Sequence, residues 1–84
     1  MNKGTMYEKL FFKLYNAVDY MMKAYEQKDT LRNYTNYGAA TAYASILMEL
    51  GHEVDLRVYG EGEFLITDKI VINGKEYDFF HTTV

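Results

Sequence analysis

Along the first third of the chain, apolar residues recur with the period of a helix. Placed 100° apart, Tyr7, Leu10, Phe11, Leu14, Val18, Met21 and Tyr25 fall on one stripe, which predicts an amphipathic helix with a core face. Thr5 stands three residues before Glu8, the spacing of a capping box. The helix is therefore expected over residues 5–28. Its far side carries Lys9, Lys13, Asn16, Tyr20 and Lys23, while Phe12 and Tyr15 fall off the main stripe. Residues 29–36 are rich in Asp, Thr and Asn and read as a connector.

A second helix is expected over residues 36–50, started by Thr35 or Asn36 as N-cap and ended by Gly51 at the position that favours a left-handed residue. Its predicted core stripe is Ala39, Tyr43, Ile46, Leu47 and Leu50. The rest of its circumference is hardly polar, with Tyr37, Gly38, Ala42, Ala44 and Met48 interrupted only by Thr41, Ser45 and Glu49. A helix apolar around most of its girth is covered on more than one side. Gly38, Ala39, Ala40, Ala42 and Ala44 leave room for a second backbone to come close.

After Gly51 the period becomes two. Glu53 to Tyr59 alternates, with Val54, Leu56 and Val58 on one side. Strands are expected over 53–59, 63–72 and 75–80, joined by Gly60-Glu61-Gly62 and by Asn73-Gly74, the strongest short signal for a type I′ hairpin. That turn sets Ile72 opposite Lys75, Ile70 opposite Tyr77 and Lys69 opposite Asp78, the last a plausible cross-strand ion pair. It also puts Asp68 on the apolar face, which predicts a bulge or strand break there. The expected fold is α+β: one domain over 1–84, in which a two-helix hairpin packs on a three-stranded antiparallel meander. The sheet face under the helices carries Val54, Leu56, Val58, Ile66 and Ile70.

At 84 residues the chain is one small domain. It buries only about 60–65% of its unfolded surface, so its core must be efficient or be completed by a partner or second copy. Aromatic residues make up 17% of the chain, nine of them Tyr, a residue that covers apolar surface while keeping a wet tip. There is no Cys, which excludes disulfide staples and thiolate zinc sites and points to a reducing, cytoplasmic setting. Met1 to Met6 lacks the apolar stretch of a signal peptide. The net charge of −3 is unevenly spread: residues 1–48 sum to +2 and residues 49–84 to −5.

Catalytic chemistry is not expected. Nucleophilic catalysis needs Cys, Ser, Thr or Lys beside a positioned base. The only Ser is Ser45 in mid-helix, and the two His are His52, beside the helix end, and His81. No phosphate loop, zinc-protease or EF-hand spacing occurs, so neither cofactor nor metal is expected.

Two resemblances bear on origin. The step from Gly38 to Val54 (GAATAYASILMELGHEV) resembles small accessory proteins of phages and mobile elements, the pool that includes anti-CRISPR and other anti-defence inhibitors. That resemblance implies a masking or inhibitory role. More loosely, Leu50 to Val54 with Ile72 to Asp78 resembles the core of transglutaminase-like and papain-like cysteine hydrolases. Their catalytic positions fall here on Tyr37-Gly38, on Leu65 or Ile66, and on Phe80, so the resemblance implies at most an inactive remnant.

The leading functional expectation is a non-enzymatic protein-binding module, a homodimer with an inhibitory or accessory role. Its contact residues are expected among Phe12, Tyr15, Tyr37 and Met48, and in the acidic hairpin residues Glu53, Asp55, Glu61 and Glu63, a patch suited to a basic partner surface. The alternative is a binder of small nucleotides or single-stranded nucleic acid. It would use Lys9, Lys13, Tyr20, Lys23, Arg32 and Tyr34, because tyrosine faces beside cations hold bases and phosphates together.

Overall fold

A computed structural model describes residues 3–79. His81, and Phe80 as the expected end of the third strand, lie outside the described residues. The elements in chain order are α1 (Lys3–Glu26), α2 (Thr30–Glu49), β1 (Val54–Leu56), β2 (Tyr59–Glu61), β3 (Phe64–Ile66), β4 (Lys69–Ile72) and β5 (Lys75–Asp78).

The stripe of α1 lies where its period places it. Leu14, Val18 and Met21 are fully buried, and Tyr7, Leu10, Phe11 and Tyr25 pack half-buried around them. Thr5, expected as the N-cap, lies inside a helix already running at Lys3. Gly4 does not prevent this, since glycine within a helix costs only about 1 kcal/mol relative to alanine.

The expected connector over residues 29–36 is instead the first two turns of α2. Asp29 is the N-cap, accepting the Arg32 N–H on its side chain at 3.1 Å. Lys28 adopts a left-handed φ of 58°, and the Asp29 N–H returns to the Ala24 carbonyl at 2.8 Å. One residue thus closes α1 and the next opens α2, a tight αα-hairpin. Asp, Thr and Asn suit both loops and helix starts, so composition alone misplaced this boundary. At its other end α2 stops as expected. Gly51, at φ 97°, sends its N–H to Met48, while the His52 N–H reaches Leu47, the paired bonds of a Schellman cap.

The buried face of α2 is rotated from the expected stripe. Its centre is Asn33, Ala40, Ala44 and Leu47, whereas Ile46 and Leu50 are exposed and Ala39 and Tyr43 only partly covered. The large side chains of α1 fill the interface, so the two alanines of α2 are the ones that face inward. Gly38 plays no part in a close approach; a Cβ there meets nothing within 4 Å.

In the sheet, Asn73 and Gly74 hold φ of 52° and 84°, as a type I′ turn requires. The expected pairs Ile72–Lys75, Ile70–Tyr77 and Lys69–Asp78 are in register. The three long strands are nevertheless broken. The main sheet has the order β1-β4-β5, and β2-β3 forms a separate two-stranded piece. Register explains why. Leu56 faces Ile70 and Tyr59 faces Ile66, so one more residue separates the pairs on the β3–β4 side. That surplus is the break expected at Asp68.

Thr67 stitches the break from inside: its hydroxyl lies within hydrogen-bond distance of the Arg57 and Lys69 carbonyls, and Phe79 N–H reaches the Asp68 carbonyl at 2.8 Å. Asp68 itself turns outward. The ion pair of Lys69 is with Glu76 at 2.9 Å, not with Asp78 opposite, because the diagonal neighbour on a twisted pair also lies within reach of a long side chain.

The helices cover the expected sheet face. Ile70 is fully buried, and Val54, Leu56, Val58 and Ile66 pack partly buried against the same cluster. Asn33, wholly buried, joins three elements. Its amide donates to the carbonyls of Met21 and Leu65 at 2.9 Å each, and its oxygen accepts the Leu65 N–H at 2.7 Å.

Candidate functional sites on the two flanks of helix 2

Helix α2 has three kinds of surface. One side is buried in the domain. The flank toward β1 borders an apolar groove, and the flank toward α1 borders a polar, cationic one.

The first groove, about 280 Å³, runs between α2 and the edge strand β1 and is lined by Thr41, Ala44, Met48, Val54, Asp55 and Leu56. Its chemistry follows from the register of β1. The Asn73 N–H donates to the Glu53 carbonyl at 2.8 Å. Antiparallel pairs alternate between bonded and non-bonded, so Asp55 opposite Val71 is the next bonded pair. The backbone N–H and C=O groups of Val54 and Leu56 therefore point away from β4, toward the outer edge. Met48, half exposed at 50%, forms part of the wall as a flexible apolar side chain that adapts to what it touches. Glu53 and Asp55 make the strand acidic, and Arg57 is drawn onto Asp55 at 3.2 Å.

The second groove follows the seam between the helices. Lys13, Asn16, Ala17, Tyr20, Asn36, Ala39 and Tyr43 line one hollow. Tyr20, Lys23, Ala24, Gln27, Arg32 and Asn36 line the next, of about 440 Å³. Tyr20 and Asn36 belong to both, so the hollows adjoin along the seam. Each lysine leans on a ring: Lys13 Nζ sits 5.7 Å from the centre of Tyr43, and Lys23 Nζ 5.5 Å from that of Tyr20. Lys23 is held above its ordinary 10.5 first by its hydrogen bond with Asp19, which lies 3.0 Å away. Arg32 lies 3.5 Å from Asp29.

These two places sort the residues singled out from the sequence. Of the expected partner-binding set, Met48 and Asp55 line the β1 groove and Glu53 adjoins it in sequence. Phe12 is exposed, at 61%, on the outer side of α1. Tyr15 and Tyr37 are packed against the core; Tyr15 has its ring 4.7 Å from Phe79. Glu61 and Glu63 are exposed on the β2–β3 hairpin. Of the nucleotide set, Lys13, Tyr20, Lys23 and Arg32 line the seam. Lys9 is exposed about one turn before Lys13 on α1, and Tyr34 is exposed on α2 outside both linings.

Asn36, which the sequence also offers as a hydrogen-bonding group beside Arg32, lines the seam too, together with Asn16, Gln27 and Tyr43. Tyr43 is hidden in the sequence because its spacing places it on the expected core stripe of α2, from which the observed buried face is rotated. His52 packs on Tyr7, with ring centres 4.5 Å apart, and its Nδ1 lies 3.1 Å from Asn73 Nδ2. Ser45 is exposed on α2. Among the described residues no group of three or more His, Asp or Glu is placed to hold a metal, and no helix is long and apolar enough to cross a membrane.

The β2–β3 hairpin is anchored by a titratable bond. The Tyr59 hydroxyl donates to Asp68 Oδ1 at 2.8 Å. That bond is the main cause holding the Asp68 carboxyl below its ordinary 3.8, and it pushes the Tyr59 hydroxyl above 10.0. A depressed carboxyl stabilises the fold above its unfolded value and loses that contribution as pH falls through the folded one. Tyr59→Phe is expected to move the Asp68 titration, followed by NMR, back up toward 3.8. An unchanged titration would show that the bond does not form in solution.

No protein-family model, curated protein or solved structure matches this chain.

Proposed function

We propose that this chain is a non-enzymatic protein-binding module that takes an extended segment of its partner along β1 and thereby masks it. The observation that carries the reading is the conjunction at β1: an edge strand whose Val54 and Leu56 backbone groups point outward, beside an apolar groove walled by Ala44 and Met48 of α2. A strand added to such an edge gains main-chain hydrogen bonds, and alternate side chains enter the groove. Glu53 and Asp55 flank the edge, so the fitting partner alternates apolar residues with Lys or Arg. An inhibitory role follows naturally, since a segment held this way is withdrawn from its other contacts. The resemblance of residues 38–54 to phage accessory proteins accords with such a role.

The test is selection of a random peptide library on immobilised protein, counter-selected on Met48→Lys. The expected result is enrichment of alternating apolar–basic peptides that shift the Val54 and Leu56 amide resonances. Peptides that bind Met48→Lys equally well, or that shift amides elsewhere, would overturn the reading.

The homodimer belongs to the same proposal through the outer side of α2, where Leu31 is 77% exposed and Tyr34 and Ile46 are open to solvent. Light scattering from micromolar concentration upward is the check. A monomer throughout removes the dimer and leaves the peptide groove standing.

A further inference from the structure

We propose that the seam between α1 and α2 binds a short single strand of nucleic acid. The seam lies on the flank of α2 away from β1, so this inference and the peptide-binding reading stand or fall separately.

The first argument is charge. The chain carries −3 overall, yet Lys13, Lys23 and Arg32 are among the residues lining the two adjoining hollows, and no carboxylate is. Glu53, Asp55, Glu61, Glu63, Asp68, Glu76 and Asp78 all lie in the strand half of the chain, outside the seam. Cations lining a hollow concentrate the opposite charge, and here Asp19, Glu26 and Asp29 border that lining beside Lys23 and Arg32. Asp19 and Asp29 pair with Lys23 and Arg32, but the lysine and arginine side chains of those pairs are 53% and 76% exposed. Exposed pairs of this kind are weak in water, so a strongly anionic ligand displaces them.

The second argument is the aromatic between the charges. Tyr20 is 56% exposed, belongs to both hollows and sits between Lys13 and Lys23 in α1. A half-exposed ring at the middle of a cationic groove is a face on which a base can stack, and stacking accepts every base. Asn16, Gln27 and Asn36 add amide donors and acceptors along the same line. An acidic peptide would satisfy the charges and leave the ring and amides idle. A duplex keeps its bases stacked inside and offers Tyr20 none.

The third argument is length. Lys13 and Lys23 are ten residues apart on one helix, roughly 15 Å along its axis. That separation covers more than one nucleotide step, so it suits non-adjacent phosphates of a strand and exceeds the reach of the phosphates of one nucleotide.

The experiment is fluorescence anisotropy with labelled twelve-residue oligothymidylate and oligouridylate on the full chain. We expect affinity to fall about tenfold between 50 and 200 mM salt, as two or three phosphate contacts on a single strand require. Tyr20→Leu is expected to weaken binding at least about fivefold with the fold intact. Lys13→Glu with Lys23→Glu is expected to abolish it, and Lys75→Glu, on β5, to leave it unchanged. Circular dichroism confirms that each variant folds. The proposal is overturned by no binding at 50 mM salt with several hundred micromolar protein. It is equally overturned by binding that survives Tyr20→Leu and is as tight for duplex or heparin, which would mean unspecific charge attraction. Competition by ATP as effective, mole for mole, as by the oligonucleotide would assign the seam to a mononucleotide and overturn the strand.

Discussion

Asn33→Leu is expected to lower the melting temperature by about 12–25 °C, the consequence of losing roughly 3 kcal/mol. Asn33 is fully buried, and its side-chain amide meets the Met21 carbonyl of α1 and both backbone polar groups of Leu65 in β3. Leucine fits the volume but leaves those groups buried with nothing to bond. A buried donor or acceptor stripped of its partner costs about 1–3 kcal/mol, and a domain of this size has only about 4–13 kcal/mol in total. Asn33→Asp sharpens the test. Its oxygens still accept the Leu65 N–H, but an ionised carboxylate then faces two carbonyls. Burial and those carbonyls raise the carboxyl above its unfolded value, so its destabilisation relative to the parent grows as pH rises from 4 to 7. Thermal melts followed by circular dichroism read both effects. A fall of less than about 3 °C for the leucine variant would mean that water reaches this site.

Phe79→Ala is expected to cost about 3–5 kcal/mol, and Phe79→Leu near 1 kcal/mol. The ring is 1% exposed and packs against Tyr15 at 4.7 Å. Its backbone N–H bonds to Asp68, the outward residue of the strand break. Truncation therefore opens a cavity under α1 at the place where the sheet is interrupted. Urea denaturation should show a lower midpoint with unchanged slope. A loss below about 1 kcal/mol would show that the ring is not enclosed. The same packing accounts for the partial burial of Tyr15, whose ring walls in Phe79.

Much of this was legible in the residues because local backbone physics decided it. The stripe of α1 follows from a 3.6-residue period, and the inward face of the strands from a period of two. Gly51 and Asn73-Gly74 sit where a positive φ is needed. Even the interruption at Asp68 could be read, because a carboxylate cannot stay on an apolar face without a partner.

What was not legible depended on neighbours far away in sequence. Residues 29–36 have the composition of a loop, and they are helical because Asp29 caps α2 while Asn33 finds bonds on α1 and β3. The rotation of α2 that turns Ala40 and Ala44 inward was set by the bulk of α1 against it. The two grooves share that origin. The seam brings Lys13 and Tyr20 beside Arg32 and Asn36 only once the helices pack, and the β1 groove exists only where Met48 comes to lie beside Val54 and Leu56.

The sequence by itself determined the class of each element, its core-facing side in α1 and the strands, and the turns at Gly51 and Asn73-Gly74, because these follow from short-range sterics and hydrophobic periodicity. The turn expected at Gly60-Glu61-Gly62 lies instead at Gly62-Glu63, with Gly60 and Glu61 paired in β2. Only the tertiary structure decided where α2 begins, which way it faces and which polar groups share a groove. Those are outcomes of side-chain volume and hydrogen-bond satisfaction between segments that no local pattern connects.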